Sequence, residues 1–218
     1  MGGFKVRIAV LASGRGSNLQ ALIEAVENRY IPAEIGVVVS DKPDAQALQR
    51  AIEHGIETAV FIGSDFKDRK TFDEALVGFL KEKNIDLICL AGFMRILGPG
   101  FVQAFPNRIV NIHPSLLPAF PGLNAQQQAL DYGVKYSGCT VHFVDEGMDT
   151  GPIIGQRVVP IIENDTVETL SARILEQEHQ LYPLVVRQLV LGNVRIVGRK
   201  VIIHEGGNVW CRQRKERL

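Results

Sequence analysis

This chain has little with which to cross-link or anchor itself. Its three cysteines, Cys89, Cys139 and Cys211, are widely spaced and form no CxxC pair. That argues against a disulfide framework or a zinc site and fits a reducing compartment. No apolar run approaches the ~20 residues of a membrane span, and no signal-peptide core precedes the strand-like segment that opens at Lys5. Gly2 is followed at position 6 by Val6 rather than Ser or Thr, so the myristoylation pattern fails. Formal net charge is zero, and charge of one sign gathers only at the basic end, residues 212–217, which reads as a solvated terminus. A nucleic-acid surface therefore has no support, and the five histidines show no metal-ligand spacing. The expectation is a cytoplasmic protein that handles small molecules, without membrane, nucleic-acid or metal partners, as a monomer or homodimer.

What the chain does have is apolar residues, 46% of 218, enough for one substantial core. Runs of strand length alternate with segments of helical period: VRIAVLA then SNLQALIEAVEN, EIGVVVS then DAQALQRAIEHG, TAVFI then RKTFDEALVGFLKEKN. Such alternation marks successive βαβ units and a parallel sheet. DLICLAGFM makes a fourth strand, GPGFVQAF a short helix and NRIVNIH a fifth strand, all rich in the Val, Ile and Leu that suit burial on both faces. SGCTVHFV and GQRVVPIIE read as longer alternating strands, followed by a long helix from Val167 to about Leu191. A terminal hairpin, VRIVG and KVIIH, turns at Gly198 and Arg199. The fold expected is a single α/β domain over residues 1–218, Rossmann-like and doubly wound, with helices on both faces of a mostly parallel sheet and a C-terminal β-hairpin. Residues 114–125 read as an irregular loop.

SGRGSN, residues 13–18, falls between the first strand and the first helix. Two glycines permit a tight turn, and Ser17 and Asn18 suit a helix start, where free N–H groups and the positive dipole end favour an anion. The third glycine of the dinucleotide fingerprint is replaced by Leu19, and the Walker Lys-Ser/Thr pair is absent. A small phosphate site remains, with an unoccupied structural turn as the plain alternative.

In open α/β sheets ligands bind beyond the carboxyl ends of the strands, where strand order reverses. There the end of strand one would supply SGRGSN, strand four GFMRIL, and strand five Asn111 and His113. These two sit two residues apart, so a strand points both to one face, and Pro114 then stops the strand. DEGMDTGP, residues 145–152, could bring a carboxylate back to the imidazole. Asn, His and Asp together supply an oxyanion donor, a proton donor and the group that tunes it. Each also has a plain reading: a strand-end His is often a hydrogen-bonded structural residue, and an acidic loop is often only solvated. His142 within TVHFV reads as a satisfied strand residue, and His54 as the last turn of a helix. No GxSxG elbow and no Cys beside a base appears, which disfavours an acyl-enzyme and favours direct transfer between two bound substrates.

Four segments in order, IAVLASGRGSNLQALIEA, ICLAGFMRIL, NIHPSLLPAFPG and HFVDEGMDTGPIIGQ, resemble the phosphoribosylglycinamide formyltransferase family over about residues 7–183. The resemblance implies transfer of a formyl group from 10-formyltetrahydrofolate, a co-substrate, to the amine of glycinamide ribonucleotide in purine synthesis, without metal or covalent intermediate. It assigns Asn111 to the formyl oxygen, His113 to proton donation toward the departing folate nitrogen, and Asp149 to holding His113 and raising its pKa. Gly16, Ser17 and Asn18 would bind the substrate phosphate, and Glu178 would contact the ribonucleotide. Met94, Arg95, Ile96 and Leu97, with Asp145, Glu146, Gly147, Met148 and Asp149, would cradle the folate, with Arg69 a further folate contact. Residues 1–105 would then form the phosphate-binding half and 106–218 the catalytic and folate-binding half. Asn124 and Gln126 stand where several relatives carry histidines.

Related formyl-transferring families depart from these motifs. Methionyl-tRNA formyltransferase continues its SLLP loop as RWRGAAPI and adds a C-terminal domain. Formyltetrahydrofolate hydrolase places a histidine directly after the catalytic one, where Pro114 stands here. Bifunctional sugar-nucleotide formyltransferases carry a second large domain. A phosphate-binding regulatory module would keep SGRGSN without needing Asn111, His113 and Asp149.

Overall fold

The computed structural model describes residues 6–204. Gly2, Lys5, Trp210, Cys211 and the basic end 212–217 lie outside the described residues, so the first strand is described from Val6. The chain divides into two compact units that meet in sequence at Asn111 and Ile112.

The first unit runs β1 (Val6–Leu11), α1 (Ser17–Glu27), β2 (Ala33–Ser40), α2 (Gln46–Glu53), β3 (Thr58–Val60), a 3-10 turn (Gly63–Asp65), α3 (Arg69–Glu82), β4 (Leu87–Leu90), α4 (Pro99–Ala104) and into β5 (Ile109–His113). β1 pairs in parallel with both β2 and β4, β2 with β3, and β4 with β5. The order reverses between β1 and β4, so their carboxyl ends mark the switch point. β4 and the last four residues of β1 are fully buried, which is why they are solid with Val, Ile and Leu rather than alternating. Right-handed crossovers then put α1 and α2 on one face and α3 and α4 on the other, because the chain winds outward from β1 in one direction and from β4 in the opposite one. A capping box between Asp68 and Thr71 starts α3, and Pro99 opens α4 where its missing N–H costs nothing. Phe61, Phe66, Phe72 and Phe79 pack ring to ring beside α3.

The second unit holds α5 (Ala125–Tyr132), β6 (Tyr136–Phe143), β7 (Ile153–Pro160), α6 (Val167–Val190), β8 (Val194–Val197) and β9 (Lys200–Ile203). β6 and β7 are antiparallel, with a register shift between Val141 and His142, and β8 and β9 form the expected hairpin. The strand order is β3-β2-β1-β4-β5-β6-β7, a mostly parallel sheet in which β6 and β7 run antiparallel to each other, and the hairpin stands as a second sheet. A second capping box, Thr166 with Thr169, starts α6. Leu170, Ile174, Leu181, Val185 and Leu189 then form a buried stripe at helical spacing. Each such aliphatic side chain is worth about 1.5–3 kcal/mol on burial.

The irregular loop expected up to about residue 125 ends where α5 begins, a helix for which the sequence reading gave no expectation. AQQQALDY carries little apolar periodicity, and only Ala125 and Ala129 are buried. Its ends are set by backbone conformation, with Asn124 and Gly133 both left-handed at the caps. Gln128 donates back to the carbonyls of Pro121 and Leu123. Asn124 is exposed and Gln126 partly so.

Candidate active site

β5 delivers the two residues that its period selects. Asn111 is half-buried and His113 is only 5% exposed. His113 Nε2 lies 2.9 Å from the Phe120 carbonyl oxygen. A carbonyl only accepts, so Nε2 carries the proton of the neutral ring and Nδ1 is its unprotonated nitrogen. Ser115 Oγ donates to the carbonyls of Ala119 (2.6 Å) and Phe120 (3.2 Å), closing the turn that presents this acceptor. Phe120 has φ +53°, a conformation rare for a bulky residue and sustained here by these contacts.

Asp149, in the loop between β6 and β7, is also left-handed, at φ +55°. Its Oδ2 accepts from the Gly122 N–H (2.8 Å) and lies 3.4 Å from His113 Nδ1. Its Oδ1 faces His142 Nε2 at 3.6 Å, long for a hydrogen bond but close for a charge contact. His142 Nδ1 donates to the Phe143 carbonyl at 2.8 Å, which turns Nε2 toward the carboxylate. Asp149 thus stands between two imidazoles, one of them His142, the satisfied strand residue expected. The available signals for this contact were its place seven residues before Asp149 and on the strand leading into that loop.

The pKa of His113 departs from the expectation. Burial lowers it, and this outweighs the Phe120 carbonyl and the Asp149 carboxylate, which both raise it; His142 lowers it further. Asp149 acts in the expected sense, but the net shift is downward because desolvation penalises the imidazolium. Burial pushes Asp149 up, yet His142, the Gly122 N–H and His113 together hold it below the ordinary carboxylate value. The pair therefore rests as a carboxylate beside a largely neutral ring at neutral pH.

In the first unit the glycine loop follows β1. Gly16 is the left-handed N-cap of α1 at φ +72°, and no side chain caps the helix, so Ser17 and Asn18 occupy its first turn rather than its cap. A Cβ on Gly16 would sit 2.8 Å from Ala47, so only glycine fits. α2 holds the loop through its backbone: the Ala47 N–H donates to Gly14 (3.0 Å) and Arg50 Nε to the Arg15 carbonyl (2.9 Å). Buried Ser13 links three strand ends. It donates from Oγ to Asp41 and accepts from the Met94 N–H at 2.8 Å, and its own N–H meets the Gly92 carbonyl at 3.0 Å. Ser13 opens the SGRGSN motif, where it has no individual role in the sequence reading, and Arg50 carries no sequence signal.

The remaining residues fall as follows. Met94 and Ile96 are exposed, while Leu97 is buried. Arg95 stacks over Phe72 at 4.2 Å. Arg69 donates from Nη2 to the Leu97 carbonyl and lies 3.9 Å from Asp73, so it braces this segment as well as flanking it. In the second unit Asp145 accepts from the Gly147 N–H and from Thr150 Oγ1, Met148 is exposed, and Glu146 is exposed. Glu178 interrupts the apolar stripe of α6 and is 6% exposed. His54 caps the end of α2 and pairs with Glu27 at 2.7 Å. Among the described residues no cluster of three or more His, Cys, Asp or Glu could hold a metal, and no helix is long and apolar enough to cross a membrane.

A switch-point α/β fold that ends one strand in Asn111 and His113 and turns a carboxylate onto that imidazole has the layout of a group-transfer enzyme. The chain belongs to the formyl transferase family, whose model matches residues 6–186. Phosphoribosylglycinamide formyltransferase of Bacillus subtilis (strain 168) is 45% identical over 184 residues, covering 84% of this chain and 94% of that protein. The trifunctional purine biosynthetic protein adenosine-3 of Drosophila melanogaster is 51% identical over 192 residues, 87% of this chain, but this chain spans only 14% of that protein's length. The crystal structure of glycinamide ribonucleotide transformylase 1 from Symbiobacterium toebii superposes with a TM-score of 0.92 at 50% identity, covering 94% of this chain and 96% of that one.

Proposed function

We propose that this chain transfers the formyl group of 10-formyltetrahydrofolate to the amine of 5-phosphoribosylglycinamide, a step of purine synthesis, with Asn111, His113 and Asp149 as its catalytic residues. The observation that carries this reading is the buried His113–Asp149 pair, 3.4 Å apart, whose other ring nitrogen is committed to Phe120. It stands at the end of a strand that also presents Asn111, in a chain of the formyl transferase family.

The chemistry follows from those groups. The amine nitrogen attacks the formyl carbon and the carbonyl electron pair moves onto oxygen. The Asn111 carboxamide N–H donates to that oxyanion, a contact worth about 3–4 kcal/mol in a preorganised site. Because His113 rests neutral, it takes the proton that the attacking nitrogen must lose. Asp149 stabilises the imidazolium so formed. His113 then gives this proton to N10 of the folate as the carbon–N10 bond breaks, the bonding pair stays on N10, and the carbonyl re-forms on the product. One ring serves both transfers, and its lowered pKa suits the first as Asp149 suits the second.

The resemblance adds the binding residues. Gly16, Ser17 and Asn18 would take the ribonucleotide phosphate on the open N–H groups of α1. Glu178 would meet the ribonucleotide. Arg69, Met94, Arg95, Ile96 and Leu97, and Asp145, Glu146, Gly147 and Met148, would meet the folate. Cys89 and Cys139 are buried thiols outside any disulfide, and we place the reaction in the reducing cytoplasm. The test is to mix the protein with both substrates and follow folate deformylation. Turnover that requires the amine supports the transferase; equal turnover without it would make the protein a hydrolase.

A further inference from the structure

Thr140 lies within β6 and is fully buried. Its hydroxyl donates to the Ser115 carbonyl at 2.7 Å and accepts from the Leu117 N–H at 3.1 Å and from Gln156 Nε2 at 3.0 Å. A hydroxyl has one proton and two lone pairs, so its capacity is filled. Gln156, the residue paired with Thr140 across β7, also donates to the Leu117 carbonyl at 2.9 Å. Both polar backbone groups of Leu117 and the carbonyl of Ser115 are therefore tied to the β6–β7 pair. From Ser115 the connection continues through its own Oγ to Ala119 and Phe120, and from Phe120 to His113 Nε2.

We propose that Thr140 is a positioning residue for His113, acting through the turn from Ser115 to Phe120 whose carbonyl orients the imidazole. This deepens the formyl-transfer reading and rests on it for its catalytic consequence. Apolar burial does not hold the far part of the turn, since Pro118 and Ala119 are exposed, and the left-handed Phe120 must be constrained by its neighbours. Two strand side chains bonded to the start of the turn supply that constraint. The plain alternative is that Thr140 is only a satisfied core hydroxyl. The two differ in what His113 does when the hydroxyl is removed.

The experiment uses the isosteric Thr140→Val, which removes the hydroxyl, and Thr140→Ser, which keeps it. His113 is followed by nitrogen-resolved imidazole NMR titration and by the acidic limb of the kcat/KM profile. The titratable groups facing His113 are Asp149 and His142, and neither is a hydrogen-bond partner of the Thr140 hydroxyl in this network. Without the anchored carbonyl, the charged ring loses an acceptor. Thr140→Val should move the His113 midpoint and the acidic limb down together by about half a unit or more, and lower kcat roughly tenfold. Thr140→Ser should titrate as wild type. A Thr140→Val protein with a lower Tm but wild-type midpoint, limb and kcat would overturn the proposal, as would a midpoint that moves without the limb. Should that variant not fold, Gln156→Ala, on the exposed side of β7, should shift both in the same direction by less, and no shift would overturn the proposal. A wild-type protein without turnover would sink the formyl-transfer reading, while the NMR midpoints still decide whether Thr140 orients the ring.

Discussion

His113 and Asp149 face each other across 3.4 Å, Nδ1 toward Oδ2, and yet the imidazole titrates lower than an ordinary histidine. Two opposing effects meet at this contact. The carboxylate favours the imidazolium, while burial of a ring only 5% exposed opposes it and wins. The outcome is a ring that is largely neutral at neutral pH and that, in the proposed mechanism, becomes charged only during the reaction.

Replacement of His113 by Ala should lower kcat by at least ~10²-fold, because both proton transfers lose their carrier. Circular dichroism and Tm should show a folded protein. Near-wild-type turnover would remove His113 from the mechanism.

Asp149→Asn takes away an influence that raises the His113 pKa, so the acidic limb of the pH–rate profile should move to lower pH. The maximal rate should fall as well, since the imidazolium formed in the reaction loses its partner. A limb that stays in place would show that the carboxylate does not sense the ring's charge.

The lowered pKa of His113 also has a stability consequence. An unfolded histidine titrates near 6.5, and the folded one lower. Below about pH 6.5 the unfolded chain therefore binds a proton that the folded one does not, so this contribution is fully present above that pH and is lost as pH falls toward the folded pKa. Urea midpoints measured between about pH 7 and 5 should fall more steeply for wild type than for His113→Gln. Asp149 titrates below this window, and parallel slopes would refute the assignment.

Gly16→Val places a Cβ 2.8 Å from Ala47 at φ +72° and must deform the glycine loop. Ribonucleotide binding should weaken by roughly tenfold or more, with folate binding within about twofold. Calorimetry with each ligand separates the two, and equal losses would argue against a phosphate site at α1.

The legible parts of this molecule are those governed by local period. Asn111 and His113 share a face because a strand repeats every two residues, and the βαβ alternation predicted the parallel strands of β1 to β5. α5 was not legible, because two buried alanines leave no apolar stripe and its ends are set by left-handed backbone. The acidic loop was visible as a candidate partner of His113, but the roles of His142 and Phe120 were not. One faces Asp149 only because of how β6 enters the loop, and the other contributes a backbone carbonyl, which every residue carries.

By itself the sequence determined the strand and helix periods and the residue types able to move a proton and steady an oxyanion. Only the tertiary structure decided which nitrogen of His113 holds its proton, that Asp149 sits between two imidazoles, and that the His113 pKa falls instead of rising. Period is a property of neighbouring residues, whereas desolvation and backbone hydrogen bonds depend on what the folded chain brings around a side chain.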